Sequence, residues 1–188
     1  MSPITELIGG AKAYGWGNLL VSPAFESIAT ATGTGSSGTI TFSSIPSTYQ
    51  HLQIRIIAFG DTPNQNTMIL RFNSDSGSNY ARHNLRGNGS SAAAGGTAST
   101  TLIGIGSQTA NLSSTNPMVA IVDIHDYKST DKNKTVRSLG GIDENGSGEI
   151  TLHSGLWMNT SAISTITIST PGQNFTTNSV FALYGIKA

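Results

Sequence analysis

The chain has 188 residues and a formal net charge of zero, and its 11% of charged residues is far below the roughly 25% typical of soluble domains. Proteins that bind nucleic acid are usually distinctly basic, so this balance argues against a nucleic-acid partner. The lack of cysteine excludes disulfides and thiolate metal sites, and no apolar run approaches the length of about 18 residues that membrane insertion as a helix requires.

The first 22 residues differ in pattern from the rest of the chain. Four large apolar side chains, Tyr14, Trp16, Leu19 and Leu20, lie among glycines and an asparagine. Large anchors on a pliable backbone suit a segment that docks on a partner, which predicts an N-terminal docking arm over residues 1–22. The alternative is that these residues form a first strand and a loop packed on their own domain.

From Phe25 onward the sequence alternates between strand and turn patterns, and no helix is predicted. The clearest strand is YQHLQIRIIAF at 49–59, where an apolar residue recurs at every second position from Leu52 to Ala58. A period of two is typical of a strand with one buried and one polar face. The next strand is TMILRFNS at 67–74, and the turn NSDSGSN follows it.

The middle of the chain contains one segment with a weak strand pattern and one with a strong strand pattern. GNGSSAAAGGTAS at 87–99 has low complexity, and we expect it to be mobile. By contrast, MVAIVDIHDY at 118–127 is the most apolar strand of the chain, which predicts that it is buried.

The closing segment, NSVFALYGIK at 178–187, is apolar on both faces of a strand. Phe181 and Leu183 occupy one face, and Val180 and Ala182 begin an apolar series on the other. Both faces of such a strand need cover, so it belongs inside a sandwich or in a subunit interface.

These patterns predict an all-β protein: an antiparallel β-sandwich or jelly-roll of about ten strands over residues 23–188, preceded by the extended arm. The predicted strands lie at 25–31, 38–45, 49–59, 67–74, 79–87, 100–106, 118–127, 134–142, 149–157, 163–169 and 178–187.

Two glycine-rich segments resemble ligand-binding loops. GTGSSG at 33–38 has the spacing of a dinucleotide loop, but a strand pattern rather than a helix follows it, which favours an ordinary loop. In DENGSGEI at 143–150, Asp143, Asn145 and Ser147 have the spacing of the first ligands of a calcium loop. The position that should supply a bidentate glutamate is Ser154, so a hairpin turn explains the segment better.

Catalytic chemistry has little support in the sequence. Asp123 and His125 share a face of one strand, and Asp126 takes the other face, where it caps a turn. One histidine and one aspartate are too few for a metal site without partners from elsewhere in the fold. No nucleophile lies beside a base in a recognisable motif, so we expect no enzyme activity, no cofactor and no metal.

Four residues are candidates for contacts with a neighbouring subunit or a ligand. Arg82 and Arg86, on a polar strand, could reach a carboxylate of another subunit or an acidic sugar. Trp157 or Tyr80 could supply the aromatic platform that a sugar stacks on. The alternative is that the arginines are solvated at the surface and that both aromatic rings pack in the core.

Several long runs resemble a type of small structural virion protein of tailed bacteriophages, frequent among phages of aquatic bacteria. The runs occur in the same order over most of the chain from Phe25, whereas residues 1–22 have no counterpart. They read FESIAT, ITFSSIPSTYQHLQIR, RFNSDSGSNYARHNLRG, KTVRSLGG, SGLW with ISTITI, and FALYGIK.

The resemblance implies a non-enzymatic capsid-decoration or fibre protein with a β-sandwich body, without catalytic residues, mounted by its arm on the capsid, neck or tail. The expected partners are other copies of the chain, as a homotrimer, and other virion proteins. The expected location is the virion, assembled in the cytoplasm of the bacterial host. The alternative is a module at a fibre tip that binds glycans of the host surface.

Overall fold

The computed structural model describes residues 24–62, 67–107 and 112–187, so the arm predicted over residues 1–22 lies outside the described residues. The described part of the chain is all β and holds twelve strands. It contains no helix that could cross a membrane. The strands are β1 Phe25–Thr32, β2 Thr39–Phe42, β3 His51–Ala58, β4 Ile69–Phe72, β5 Tyr80–Gly87, β6 Ala92–Thr100, β7 Ile103–Gly104, β8 Met118–His125, β9 Lys134–Asp143, β10 Gly148–Trp157, β11 Ile166–Ser169 and β12 Val180–Ile186.

The strands form two antiparallel sheets, one of eight strands and one of four. The larger sheet has the order β1-β12-β3-β8-β9-β10-β5-β6, and the smaller has the order β2-β11-β4-β7. Without the hairpins β5–β6 and β9–β10, the orders are β1-β12-β3-β8 and β2-β11-β4-β7, which is the arrangement of an eight-stranded jelly roll. The two hairpins extend one of its sheets, and the predicted antiparallel sandwich is confirmed.

The core lies between the two sheets and follows the alternation that the sequence predicts. In β3, the side chains from Leu52 to Ala58 at every second position are buried. Leu70 and Phe72 of β4 and Ile168 of β11 contribute from the smaller sheet and are also buried. Burying one large apolar side chain stabilises the fold by about 1.5–3 kcal/mol. The sum over the core is the main favourable term that holds the two sheets together.

The prediction for residues 87–99 is wrong, because β6 lies in this segment. Its backbone pairs with β5 from Arg82 opposite Thr97 to Gly87 opposite Ala92. The turn before it is held by Asn88, whose side-chain oxygen accepts hydrogen bonds from the backbone N–H groups of Ser90 and Ser91. Ladder hydrogen bonds use only backbone atoms, so a strand of alanine and glycine can form without an apolar signal.

The predicted burial of the closing strand holds for one face only. Phe181 and Leu183 of β12 are fully buried between the sheets. On the other face, Val180 is 38% exposed and Tyr184 is half-buried, so this face is only partly covered. β8 shows the same asymmetry: alternate residues from Met118 to Ile124 are buried as predicted, whereas Val119 on the other face is 50% exposed.

Both glycine-rich segments are loops between strands. GTGSSG connects β1 to β2 without an intervening helix. Asp143–Gly148 forms the β9–β10 hairpin, in which Asn145 and Gly146 both have positive φ, 57° and 101°, as a type I′ turn requires. The Asp143 carboxylate accepts a hydrogen bond from the Asn145 N–H at 2.9 Å. The hairpin interpretation of 143–150 is therefore confirmed.

Candidate functional site

The outer face of the eight-stranded sheet carries two adjacent rows of apolar side chains, which we call the apolar face. The strand register places the residues of each row directly opposite one another. The first row is Val180, Ile57, Val119, Gly141 and Ile150, and the second is Ala182, Arg55, Ile121, Leu139, Leu152 and Leu85. Eight of these are aliphatic side chains that are between 38% and 60% exposed.

The outer face of the four-stranded sheet has the opposite character. Its strands turn Ile40, Phe42 and Ile168 inward and present mainly hydroxyl groups to solvent. Thr41 and Thr167 lie side by side there, next to Arg71 of β4. The apolar face is therefore a property of one sheet and not of the surface as a whole.

The apolar face contains a shallow groove with a volume of about 1110 Å³. Its lining includes Gly140 and Gly141 of β9, which project no side chain. Ile150, which lies opposite Gly141 on β10, is 60% exposed and stands beside the groove as a ridge. The turns at Asn88 and at the β9–β10 hairpin line one end. The face is thus a groove next to a ridge.

Beyond the second row, the same sheet face becomes polar. The next row across the central strands is Gln53, Asp123 and Arg137. Gln53 donates a hydrogen bond to Asp123 at 2.8 Å and accepts one from Arg55 at 3.1 Å. The Arg55 guanidinium also lies over the Tyr184 ring, 5.3 Å from its centroid. The one charge within the apolar face is therefore held by groups of the polar part.

Asp123, His125 and Asp126, which the sequence left with too few partners for a metal site, lie on and directly after β8. Asp123 and His125 share the outer sheet face, as predicted, whereas Asp126 follows the strand with a φ of 52°. The hydrogen bond from Gln50 and the nearby charge of Lys132 lower the pKa of the Asp126 carboxyl. Among the described residues, no three metal-ligating side chains cluster.

Trp157 and Tyr80 are core residues, so neither ring offers a platform for a sugar or a subunit. Trp157 is 1% exposed, and its ring packs against Phe72 and Tyr80 with centroid distances of 5.5 and 6.4 Å. Its indole N–H donates to the Asp75 carboxylate at 2.8 Å, which lowers the pKa of that carboxyl. Burial raises the pKa of Tyr80 to about 12. The core-packing alternative is therefore correct for both aromatic residues.

Arg82 and Arg86 lie on the inner face of β5, not on the exposed one. Each is half-buried, and the register places Arg86 opposite Thr151 of β10. Its guanidinium forms an ion pair with the buried Glu149 carboxylate of the same chain at 3.4 Å. Arg86 therefore has an acidic partner within its own chain.

The sequence analysis missed a polar cluster between the sheets at β10. Glu149 accepts hydrogen bonds from Ser107 at 3.2 Å and Thr151 at 2.9 Å, and all three are buried. His153 continues the same inner face, whereas Leu152 points outward. The signal was available in EITLHSGLW, because Glu149, Thr151 and His153 share the phase of the buried Trp157. From Glu149 to His153 of β10, the polar residues point inward and the aliphatic ones point outward.

His153 gives the fold a predicted pH dependence. The ring is 1% exposed and its Nε2 lies 2.7 Å from the Gly106 carbonyl oxygen, so Nε2–H donates there. Burial lowers the pKa of His153 below its ordinary value of 6.5. The unfolded chain therefore binds a proton more readily than the folded one, and stability falls as the pH drops below about 6.5.

We expect urea unfolding at pH 7.5, 6 and 5 to show this loss, and a His153→Gln variant to flatten it. Carboxylates with lowered pKa, such as Asp75, lose their contribution only at more acidic pH, below about 4. Equal pH slopes for the two proteins between pH 7.5 and 5 would contradict the assignment.

No protein-family model matches the chain, and no curated protein sequence is significantly similar to it. The function is therefore inferred from the geometry and from the sequence patterns.

Proposed function

We propose that the chain is a non-enzymatic structural component of a bacteriophage virion, a jelly-roll decoration or fibre protein that is mounted on the capsid or tail through its N-terminal arm. In this proposal the protein functions by binding its neighbours in the particle, which we call cohesion. The arm residues Tyr14, Trp16, Leu19 and Leu20 dock on another virion protein, and the body meets other copies of the chain in the expected homotrimer. No step requires a cofactor or a metal.

The observation that carries the proposal is the reversed polarity of the β9–β10–β5 region. Leu139, Leu152 and Leu85 lie opposite one another on the outer face, while Glu149 and His153 are buried on the inner one. Exposed apolar patches larger than a few hundred Å² are rare on monomers and mark interaction sites. A body with this surface is expected to be stable and soluble once the apolar face is covered in an assembly.

Two further observations support a structural role. The jelly roll is an architecture that viral capsid and lectin domains use, although a fold alone is only an analogy for function. The glycan-binding alternative needs an exposed aromatic side chain, and the two it relied on, Trp157 and Tyr80, are buried. Cohesion is therefore the better proposal.

We predict that the chain is present in purified phage particles and that its arm determines its copy number. A phage whose gene carries serine at Tyr14, Trp16, Leu19 and Leu20 should produce particles with at least about tenfold fewer copies, because the large anchors of the contact are lost. Quantitative mass spectrometry of gradient-purified particles measures this number.

The matched control carries alanine at four polar positions of the same segment, Ser2, Thr5, Lys12 and Asn18, and should retain the normal copy number. Absence of the native chain from particles would contradict the virion proposal. A normal copy number for the serine variant would contradict the docking arm alone.

A further inference from the structure

The apolar face has the size of one side of a stable protein–protein contact. Its eight aliphatic side chains, about half exposed, present on the order of 700 Å² of apolar surface, close to the roughly 800 Å² that each partner buries in a standard interface. It extends over six neighbouring strands of one sheet. Such a face suits a second sheet better than a loop or a short peptide.

The chemistry of the face argues against a small ligand. Small-molecule sites combine apolar walls with a few polar groups that converge on the ligand. Within the two rows the only polar side chain is that of Arg55, and Gln53 and the Tyr184 ring hold it. A partner that covers this face must therefore be aliphatic itself over a comparable area.

The apolar face of one copy is complementary in shape to the apolar face of another. Ile150 and Leu152 form a ridge, and Gly141 with its neighbours leaves the adjacent groove. A ridge and a groove side by side allow one copy to receive the ridge of another, as contacts between identical subunits require. The polar row beside them carries both signs of charge, Asp123 and Arg137, so the rims of two copies can pair rather than repel.

We propose that the apolar face is the contact between two copies of this chain, packed sheet against sheet. A face that pairs with itself joins two copies about a two-fold axis, so this contact forms a dimer in place of the expected homotrimer. This inference rests on the proposed function, in which the body binds other copies of the chain. It identifies the surface through which they bind. Aliphatic faces of two sheets then interdigitate about 10 Å apart, as the layers of a sandwich do. Asp123 and Arg137 stay at the rim, where water remains accessible, and Arg55 keeps its hydrogen bond to Gln53.

The test compares two substitutions on the same strand and the same sheet face. Leu152→Glu places a charge inside the apolar face, whereas Ser154→Glu places it two residues further along β10, opposite Arg137. In sedimentation velocity with the full chain, we expect the native protein to be an oligomer of the 19.5 kDa chain. Leu152→Glu should weaken association at least about 30-fold, the effect of a hot-spot residue, and Ser154→Glu less than about threefold.

Circular dichroism and urea unfolding establish that each variant is folded, and Leu152→Thr, a good strand former, replaces Leu152→Glu if that variant is not. A native chain that remains monomeric at about 100 μM would overturn the inference, because even a weak contact would be populated there. An oligomer that Leu152→Glu and Leu152→Thr leave intact would overturn it as well.

A third outcome would assign the face to the arm of the chain instead. In that case the native chain is monomeric, and a dye that binds apolar surface binds only after Trp16 and Leu20 are replaced by serine.

The experiments distinguish failure of the proposed function from failure of the contact between copies. An oligomer sensitive to Leu152→Glu that is absent from particles refutes only the virion role, and a monomer found in particles refutes only the contact between copies.

Discussion

Replacing Trp157 with alanine is expected to lower the free energy of unfolding by about 3–5 kcal/mol, the cost of removing a large aromatic side chain from a packed core. The ring is the largest fully buried side chain of the described residues, and it touches Phe72 and Tyr80. Its removal also leaves the Asp75 carboxylate without the indole N–H. Urea unfolding followed by circular dichroism measures the loss.

Trp157→Phe is the matched control, because it keeps an aromatic ring in the core and loses the indole N–H. We expect it to cost about 1–3 kcal/mol, mainly for the lost hydrogen bond to a charged group. The core assignment would be wrong if the free energy of unfolding of Trp157→Ala lay within about 1 kcal/mol of the native value and the variant lost a glycan binding that the native chain shows on an array. The ring would then be a ligand contact.

Replacing Arg86 with methionine is expected to cost about 2–3 kcal/mol, because the buried Glu149 carboxylate loses its ion-pair partner. The value is set below the 3–5 kcal/mol typical of a fully buried pair because the Arg86 side chain is 31% exposed and solvent screens part of the interaction. Ser107 and Thr151 still donate to the carboxylate. Equilibrium unfolding at neutral pH checks the prediction.

The double variant Arg86→Met with Glu149→Gln should recover a large part of that loss, since the buried charge of Glu149 is then removed together with its partner. A double-mutant cycle over the four proteins isolates the coupling between the two residues. If Arg86→Met left the free energy of unfolding unchanged but dissociated the oligomer, the arginine would serve a neighbouring subunit, as the sequence suggested, and the internal pair would be unimportant.

The alternation of side chains in β10 links the buried polar cluster to the apolar face. In β10, Glu149, Thr151 and His153 take the inner positions, so Ile150 and Leu152 must take the outer ones. In a single, unassociated chain such a strand is unfavourable in two ways. Its polar groups need hydrogen-bond partners in the interior, and its apolar groups are exposed to water. The hydrogen bonds of Glu149 offset the first cost, and a covering partner would offset the second.

The sequence by itself determined much of the architecture. The period of two from Leu52 to Ala58 places the buried face of β3 correctly, and Asn145–Gly146 specifies the type I′ turn of the β9–β10 hairpin. Both are local signals, because side-chain alternation and turn chemistry act over a few neighbouring residues. An all-β antiparallel sandwich follows from such signals repeated along the chain.

Only the tertiary structure decided which faces are covered. Alternation shows that β12 and β8 are apolar on both sides, but the second sheet lies over one side only. β6 was missed because its alanines and glycines pair through backbone atoms, and the pairing of β1 with β12 joins opposite ends of the described chain. Covered faces and distant pairings depend on how layers pack in three dimensions, and a pattern read over ten residues does not contain that information.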